Sequence, residues 1–235
     1  MKIKIFADGA DKNVMLEMNN NPLISGLTTN PSLMKKSGVI NYKEFAKDIL
    51  LHIKEKPVSF EVFSDELDIM EKQALEIASW GENVFVKIPI TNTKGDSTYQ
   101  LIEYLGKKGV KINVTAIMTV EQVYDIIPAM INCPAGYISI FAGRIADTGI
   151  DPIPTMEKSI EILNSISVNH NIKTLWASCR ELYNIIQADE IGCDIITVPN
   201  DILKKIPMIG KDLNDLSIET VKMFYNDALS SGFNI

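Results

Sequence analysis

A lysine inside an apolar strand, two carboxylates and two arginines are the side chains of this sequence best suited to do chemistry. Lys87 sits in Val84-Phe85-Val86-Lys87-Ile88-Pro89, walled by Val86, Ile88 and Pro89. Desolvation penalises an ammonium there, so a neutral, nucleophilic amine becomes accessible near neutral pH and can attack a ketose carbonyl to form a Schiff base. The competing reading is a structural lysine paired with Asp8 or Glu61. Those carboxylates have unlike settings, Glu61 in a Phe-rich strand and Asp8 at a strand end before Gly9-Ala10. Unlike settings give two carboxyl groups different proton affinities, the usual origin of separate acid and base roles; alternatively both only balance Lys87. Arg144 and Arg180, the latter in Trp176-Ala177-Ser178-Cys179-Arg180, follow two later strands. Two guanidiniums and the Ser178 hydroxyl suit the phosphate of a sugar phosphate, although either arginine alone is at home as a solvated surface residue.

The elements that must position these groups are short β-branched runs alternating with helical patterns. Strands are expected over 2–8, 23–28, 58–63, 84–88, 111–115, 137–141, 173–177 and 194–198. Helices are expected over 42–55, 66–80, 97–108, 120–131, 153–168, 180–188 and 200–205, with 12–19 as the shortest connection. Strands separated by helices pair in parallel through right-handed crossovers, and eight such units predict an α/β fold, a single (β/α)8 TIM barrel spanning residues 1–235. An open doubly wound sheet is the runner-up. An extra C-terminal helix, about 217–229, carries Ile218, Val221, Phe224, Tyr225, Ala228 and Leu229 on one face. That stripe needs a cover, either the chain's own barrel or a neighbouring subunit.

Along a barrel strand alternate side chains enter the interior. Ser59 and Glu61 oppose Phe60 and Val62, Lys87 opposes Val86 and Ile88, and Asn113 and Thr115 oppose Ile112 and Val114. Ser139 and Phe141 oppose Ile138 and Ile140, while Ser178 follows Trp176 opposite Leu175 and Ala177. Each polar group falls at or near the C-terminal end of its strand, the rim where barrel enzymes build their sites. Asp8, closing the first strand, and Thr28, Thr29 and Asn30, closing the second, add a carboxylate, hydroxyls and an amide to that rim.

Composition excludes several classes. At 46% hydrophobic residues and a mean hydropathy of +0.07, the chain can bury a core without being a membrane protein, and no run approaches the ~20 apolar residues of a spanning helix. A net charge of −7, without clusters of Lys and Arg among aromatics, argues against a nucleic-acid partner. Cys133, Cys179 and Cys193 are odd in number and far apart, neither a metal pair nor a secreted disulfide framework. Met1 to Phe6 enters an alternating Lys/Ile pattern unlike a signal peptide. His52 and His170 lack metal-ligand spacing, and G-x-G-x-x-G, Walker and H-E-x-x-H motifs are absent. The expectation is a cytoplasmic protein with neither metal nor dissociable cofactor.

Over nearly its whole length the chain resembles the transaldolases, in particular the small subfamily shared with fructose-6-phosphate aldolases. Gly26-Leu27-Thr28-Thr29-Asn30-Pro31-Ser32-Leu33 is similar to the family's second-strand signature, and Val84 to Pro89 to its Schiff-base strand. Asn113-Val114-Thr115, Ser139-Ile140-Phe141-Ala142-Gly143-Arg144 and Ala177-Ser178-Cys179-Arg180 resemble its remaining active-site segments, in the family's order. The resemblance implies that Lys87 forms the imine, that Asp8 moves the proton driving carbon–carbon cleavage, and that Glu61 and Thr115 handle a catalytic water. It implies that Asn30, Asn113 and Ser139 hold the hydroxyls of a dihydroxyacetone unit, with Thr28 and Phe141 also at the substrate, and that Arg144, Ser178 and Arg180 grip its phosphate. Transaldolases carry glutamate and phenylalanine where the aldolases carry glutamine and tyrosine; this chain has Glu61 and Phe141. The resemblance thus implies transfer of dihydroxyacetone from sedoheptulose 7-phosphate or fructose 6-phosphate to an aldose phosphate, as in the pentose phosphate pathway. It also implies a homo-oligomer, as large as a decamer, through the C-terminal helix. The alternatives are an aldolase releasing free dihydroxyacetone and, from another class, a non-catalytic sugar-phosphate-binding barrel. Two departures border the acceptor side: Asp8 is followed by Gly9-Ala10-Asp11 instead of Thr-Ala, and the loop from Lys87 through Gly95 is longer than usual.

Overall fold

The computed structural model describes residues 1–166 and 171–233. The chain divides into two compact units, Met1–Leu203 and Lys204–Ile235. In the first, β1 (Lys4–Asp8), α1 (Lys12–Asn20), β2 (Ile24–Thr28), α2 (Pro31–Lys36), α3 (Tyr42–His52), β3 (Val58–Glu61), α4 (Leu67–Ala78) and β4 (Val84–Pro89) come first. They are followed by α5 (Tyr99–Lys107), β5 (Ile112–Ile117), α6 (Val120–Met130), β6 (Gly136–Ile140), α7 (Ala142–Asp147), α8 (Ile153–Ser165), β7 (Ile172–Trp176), α9 (Tyr183–Glu190), β8 (Ile195–Pro199) and α10 (Asn200–Leu203). The eight strands form a closed barrel in sequence order, every neighbouring pair parallel and β8 returning to β1. This is the expected TIM-barrel fold.

Two layers of burial follow from strand alternation. Side chains facing the helices, among them Val58, Phe60, Val86, Ile88, Ile112, Val114, Ile138 and Ile140, are wholly or almost wholly buried, and the helices bury one face each, Ala46, Ile49 and Leu50 in α3 and Val123, Ile126 and Ile127 in α6. Inside the barrel, Phe6, Phe85, Tyr137, Leu175, Ala177 and Ile195 form an apolar floor. Phe85 stacks on Tyr137 with ring centroids 4.2 Å apart, and Phe6 meets Tyr137 edge-on at 5.6 Å. Phe6 can reach across because residue 26 is glycine: a Cβ there would lie 2.6 Å from its ring. The floor fills one end of the barrel and leaves polar inward positions at the C-terminal rim.

Local chemistry explains where the elements depart from expectation. Asn30 caps α2 with Pro31 in its first turn, a local start signal for a helix beyond those expected. The expected helix at 97–108 begins only at Tyr99, because Thr91 and Ser97 form an antiparallel bridge around a turn in which Asn92 Oδ1 accepts from the amides of Lys94 and Asp96. The expected 180–188 helix begins at Tyr183, since Asn184 Oδ1 accepts from the amides of Arg180 and Glu181 in the preceding turn. The helix expected over 153–168 ends at Ser165; residues 167 and 168, like His170, lie outside the described residues.

One parity expectation is corrected. Leu175 and Ala177, not Trp176, enter the barrel interior; Trp176 is fully buried on the opposite parity. Ser178 nonetheless lines the rim cavity, because its left-handed backbone, φ +62°, ends the alternation.

The second unit contains a 3-10 turn at Ile206–Met208 and α11 (Leu213–Ser231). The helix starts four residues earlier than the expected 217 because Asp212 caps it, accepting from the amides of Asn214 and Asp215. Gly232, at φ +66°, closes it in the left-handed conformation that glycine adopts without penalty. No residue of α11 is buried. Among the described residues no helix is long and apolar enough to cross a membrane.

Candidate active site

A cavity of about 540 Å³ opens at the C-terminal rim of the barrel. Asp8, Glu61, Lys87 and Thr115 line it, as do Thr28, Asn30, Asn113, Ser139, Phe141, Arg144, Ser178 and Arg180. The catalytic and substrate-binding residues expected from the resemblance thus meet in one cavity, whereas Thr29 and Ser59, also expected at the rim, are fully buried and do not line it.

Strand register sets its centre. Glu61 of β3 pairs with Lys87 of β4, and Lys87 with Asn113 of β5, so three inward side chains stand side by side. Lys87 is 7% exposed. Its Nζ lies 3.1 Å from Glu61 Oε2 and donates to the Thr29 carbonyl at 2.9 Å. Glu61 is therefore both the partner a structural lysine would need and a base within reach of the amine.

Asp8 stands beside Thr28 by register and accepts from Thr28 Oγ1 at 2.8 Å. Thr28 Oγ1 also hydrogen-bonds with Thr197 Oγ1, a β8 residue that lines the cavity too. Burial pushes the Asp8 carboxyl above the usual aspartate range, against the opposing pull of the Lys87 charge and the Thr28 hydrogen bond. A carboxyl that holds its proton more readily than ordinary can both take and return one.

The adjoining wall is polar. Ser139 Oγ donates to Asn113 Oδ1 at 2.6 Å, and Asn113 Nδ2 donates to Ser59 Oγ at 3.1 Å. Thr115 Oγ1 is buried with no hydrogen-bond partner among the described residues. Just beyond it, Ala116 takes a left-handed φ of +62°, where β5 slips its register against β6 between Val114 and Ile117. Asn30 Oδ1 is committed to capping α2, accepting from Leu33 N at 2.9 Å.

Arg144, Ser178 and Arg180 belong to the β6 and β7 ends of the cavity. The first turn of α7 and the segment after β7 approach so closely that a Cβ on Gly143 would lie 1.6 Å from the Ser178 carbonyl oxygen; only glycine fits. Arg180 forks onto Asp147, Nε to Oδ1 at 3.0 Å and Nη2 to Oδ2. The Arg180 hydrogen bond, with Arg144 adding its charge, holds the Asp147 carboxyl below the usual range. Cys179 also lines the cavity; burial pushes its thiol up to about 12, which disfavours the thiolate form in which a cysteine attacks.

Sequence reasoning missed Thr197, Asp147 and Tyr42. Thr197 shares parity with Ile195, so the alternation test applied to the last strand would have found it. Asp147 carried no local signal, being 33 residues from Arg180. Tyr42 lies on a helix, and its hydroxyl bonds to the Glu61 backbone, 19 residues away. His52 is exposed, and no three His, Cys, Asp or Glu side chains gather as a metal site among the described residues.

Known proteins supply context for this geometry. A solved type I 3-dehydroquinate dehydratase from Clostridium difficile shares the fold, with a TM-score of 0.56 at 12% identity over 84% of each chain. A probable transaldolase from Thermoanaerobacter sp. is 36% identical over 222 residues, covering 94% of this chain and 95% of its own. A probable transaldolase from Clostridium acetobutylicum is 33% identical over 97% of this chain and 100% of its own, and one from Methanococcus vannielii is 33% identical over 92% and 94%. The family model described as transaldolase/fructose-6-phosphate aldolase matches residues 5–234. On this match and these identities, the chain belongs to the transaldolase/fructose-6-phosphate aldolase family.

Proposed function

We propose that this family member is a transferase, a Schiff-base transaldolase that moves a dihydroxyacetone unit between sugar phosphates. The observation that carries the reading is the contact of Lys87 Nζ with Glu61 Oε2 at 3.1 Å, in a cavity that also holds Asp8 and the arginines 144 and 180. Glu61 takes a proton from the Lys87 ammonium, and the amine attacks the ketose carbonyl. The carbinolamine loses water, with Glu61 and Thr115 supplying and removing protons. Asp8 then accepts the proton of the C4 hydroxyl as the C3–C4 bond breaks. The bonding pair flows into the iminium, leaving an enamine on Lys87, and the aldose phosphate departs. An acceptor aldose phosphate reverses these steps, and water releases the new ketose phosphate. Asn30, Asn113 and Ser139 hold hydroxyls of the retained unit, Thr28 and Phe141 bound it, and Arg144, Ser178 and Arg180 hold the phosphate.

Product analysis with fructose 6-phosphate, with and without erythrose 4-phosphate, tests this reading. Transfer predicts rapid turnover only when the acceptor is present. Release of free dihydroxyacetone as fast as transfer would replace transaldolase with aldolase. Glu61 and Phe141 leave the site without the amide and the tyrosine hydroxyl that the aldolases use to manage water. The double variant Glu61→Gln, Phe141→Tyr should therefore raise the ratio of free dihydroxyacetone to transferred product, by about tenfold for a proton relay of this kind. An unchanged ratio would mean that other residues set the partition.

The same reading makes the protein a homo-oligomer joined through α11, whose Ile218, Val221, Phe224, Tyr225 and Leu229 form an unburied apolar stripe. Truncation after Lys211 should lower the mass seen by light scattering. A full-length chain that is monomeric at micromolar concentration would contradict this.

A further inference from the structure

The seam between β2 and β3 lacks a hydrogen bond that its own pattern calls for. The amide of Leu27 donates to the Pro57 carbonyl at 2.8 Å and that of Thr29 to the Ser59 carbonyl at 3.2 Å. In a parallel ladder the next rung would run from the Glu61 amide to the Thr29 carbonyl. Pairing instead ends at Thr28 opposite Ser59. The Glu61 amide donates to the Tyr42 hydroxyl at 2.7 Å, the hydroxyl donates to the Glu61 carbonyl at 2.9 Å, and the Thr29 carbonyl accepts from Lys87 Nζ at 2.9 Å.

A buried backbone group without a partner is costly, so an opened rung persists only when both of its ends are satisfied elsewhere. Tyr42 satisfies the Glu61 end, and Lys87 satisfies the Thr29 end. The Tyr42 ring is fixed for this task, packing on Phe63 at 5.4 Å, Trp80 at 6.0 Å and Phe60 at 6.3 Å between centroids. Burial pushes its phenol up, so it keeps the proton it donates.

We propose that Tyr42 is a positioning residue for the imine-forming pair: by taking the Glu61 backbone out of the ladder, it reserves the Thr29 carbonyl for Lys87 and sets where the Glu61 carboxylate meets the amine. With two of its hydrogen-bonding directions fixed by Thr29 and Glu61, Lys87 has its remaining direction for the cavity. The inference rests on Lys87 being the nucleophile.

Tyr42→Phe keeps the ring, removes both hydroxyl hydrogen bonds and lets the Glu61 amide close on the Thr29 carbonyl in competition with Lys87. The variant should lower kcat by about tenfold, as expected for a small misplacement of a reacting group, with KM for the ketose phosphate within about twofold. The rate of borohydride trapping at Lys87 should fall by the same factor. Met156→Ala, in a residue buried on α8 and outside the cavity lining, is the control for a general loss of packing: it should lower the melting temperature while leaving kcat within about twofold. Wild-type kcat and trapping rate in Tyr42→Phe would overturn the positioning role while leaving the imine reading intact. Absence of any Lys87 adduct in the wild type, with a ketose phosphate that it turns over, would overturn both.

Discussion

Lys87→Met is expected to lower turnover by roughly 10⁴-fold or more, the scale on which enzymes lose activity when a covalent nucleophile is removed. No second amine can take over. The cavity's other cations are the guanidiniums of Arg144 and Arg180, which stay protonated at any working pH and cannot form an imine. Methionine matches the length of the lysine stem and packs against the same walls, so the fold should persist. The variant should keep the far-ultraviolet circular dichroism of the wild type and bind ketose phosphate without forming an adduct. Retention of more than about one per cent of wild-type turnover in a folded Lys87→Met protein would mean that Lys87 is the structural partner of Glu61 and nothing more.

The second large effect is expected at the other end of the cavity. Arg144→Ala should lower kcat/KM for phosphorylated substrates by about 10²-fold, because a charge-assisted contact with a phosphate is among the strongest a side chain makes. Arg180→Ala should do the same to a smaller extent, since Asp147 already holds part of its fork. Unphosphorylated ketoses, which make no such contact, should lose little in either variant. Steady-state kinetics with matched phosphorylated and unphosphorylated substrates checks this, and equal losses for both would assign the arginines to structure.

Much of this site was legible in the sequence, for a physical reason. Strand alternation is a strict rule, so a polar residue at inward parity in a β-branched run must enter the barrel, and Glu61, Lys87, Asn113, Thr115 and Ser139 are all found at the cavity. The rule failed at β7, where the left-handed backbone of Ser178 breaks the alternation. It also said nothing of Tyr42 or Asp147, whose partners are set by how a helix packs over a strand end and by how the end of α7 meets the segment after β7. The terminal helix was read too short because its start lies in a cap, Asp212, and not in its apolar period. The identity of the barrel came from repetition along the chain; the hydrogen bonds that tune its rim came only from the tertiary fold.

Borohydride reduction of the wild-type protein in the presence of fructose 6-phosphate, followed by peptide mass mapping, tests the central claim most directly. The account predicts one stable addition, of the three-carbon unit or of the whole sugar phosphate, on the peptide containing Lys87. An adduct on another lysine, or none at all under conditions where the protein turns the sugar over, would contradict it.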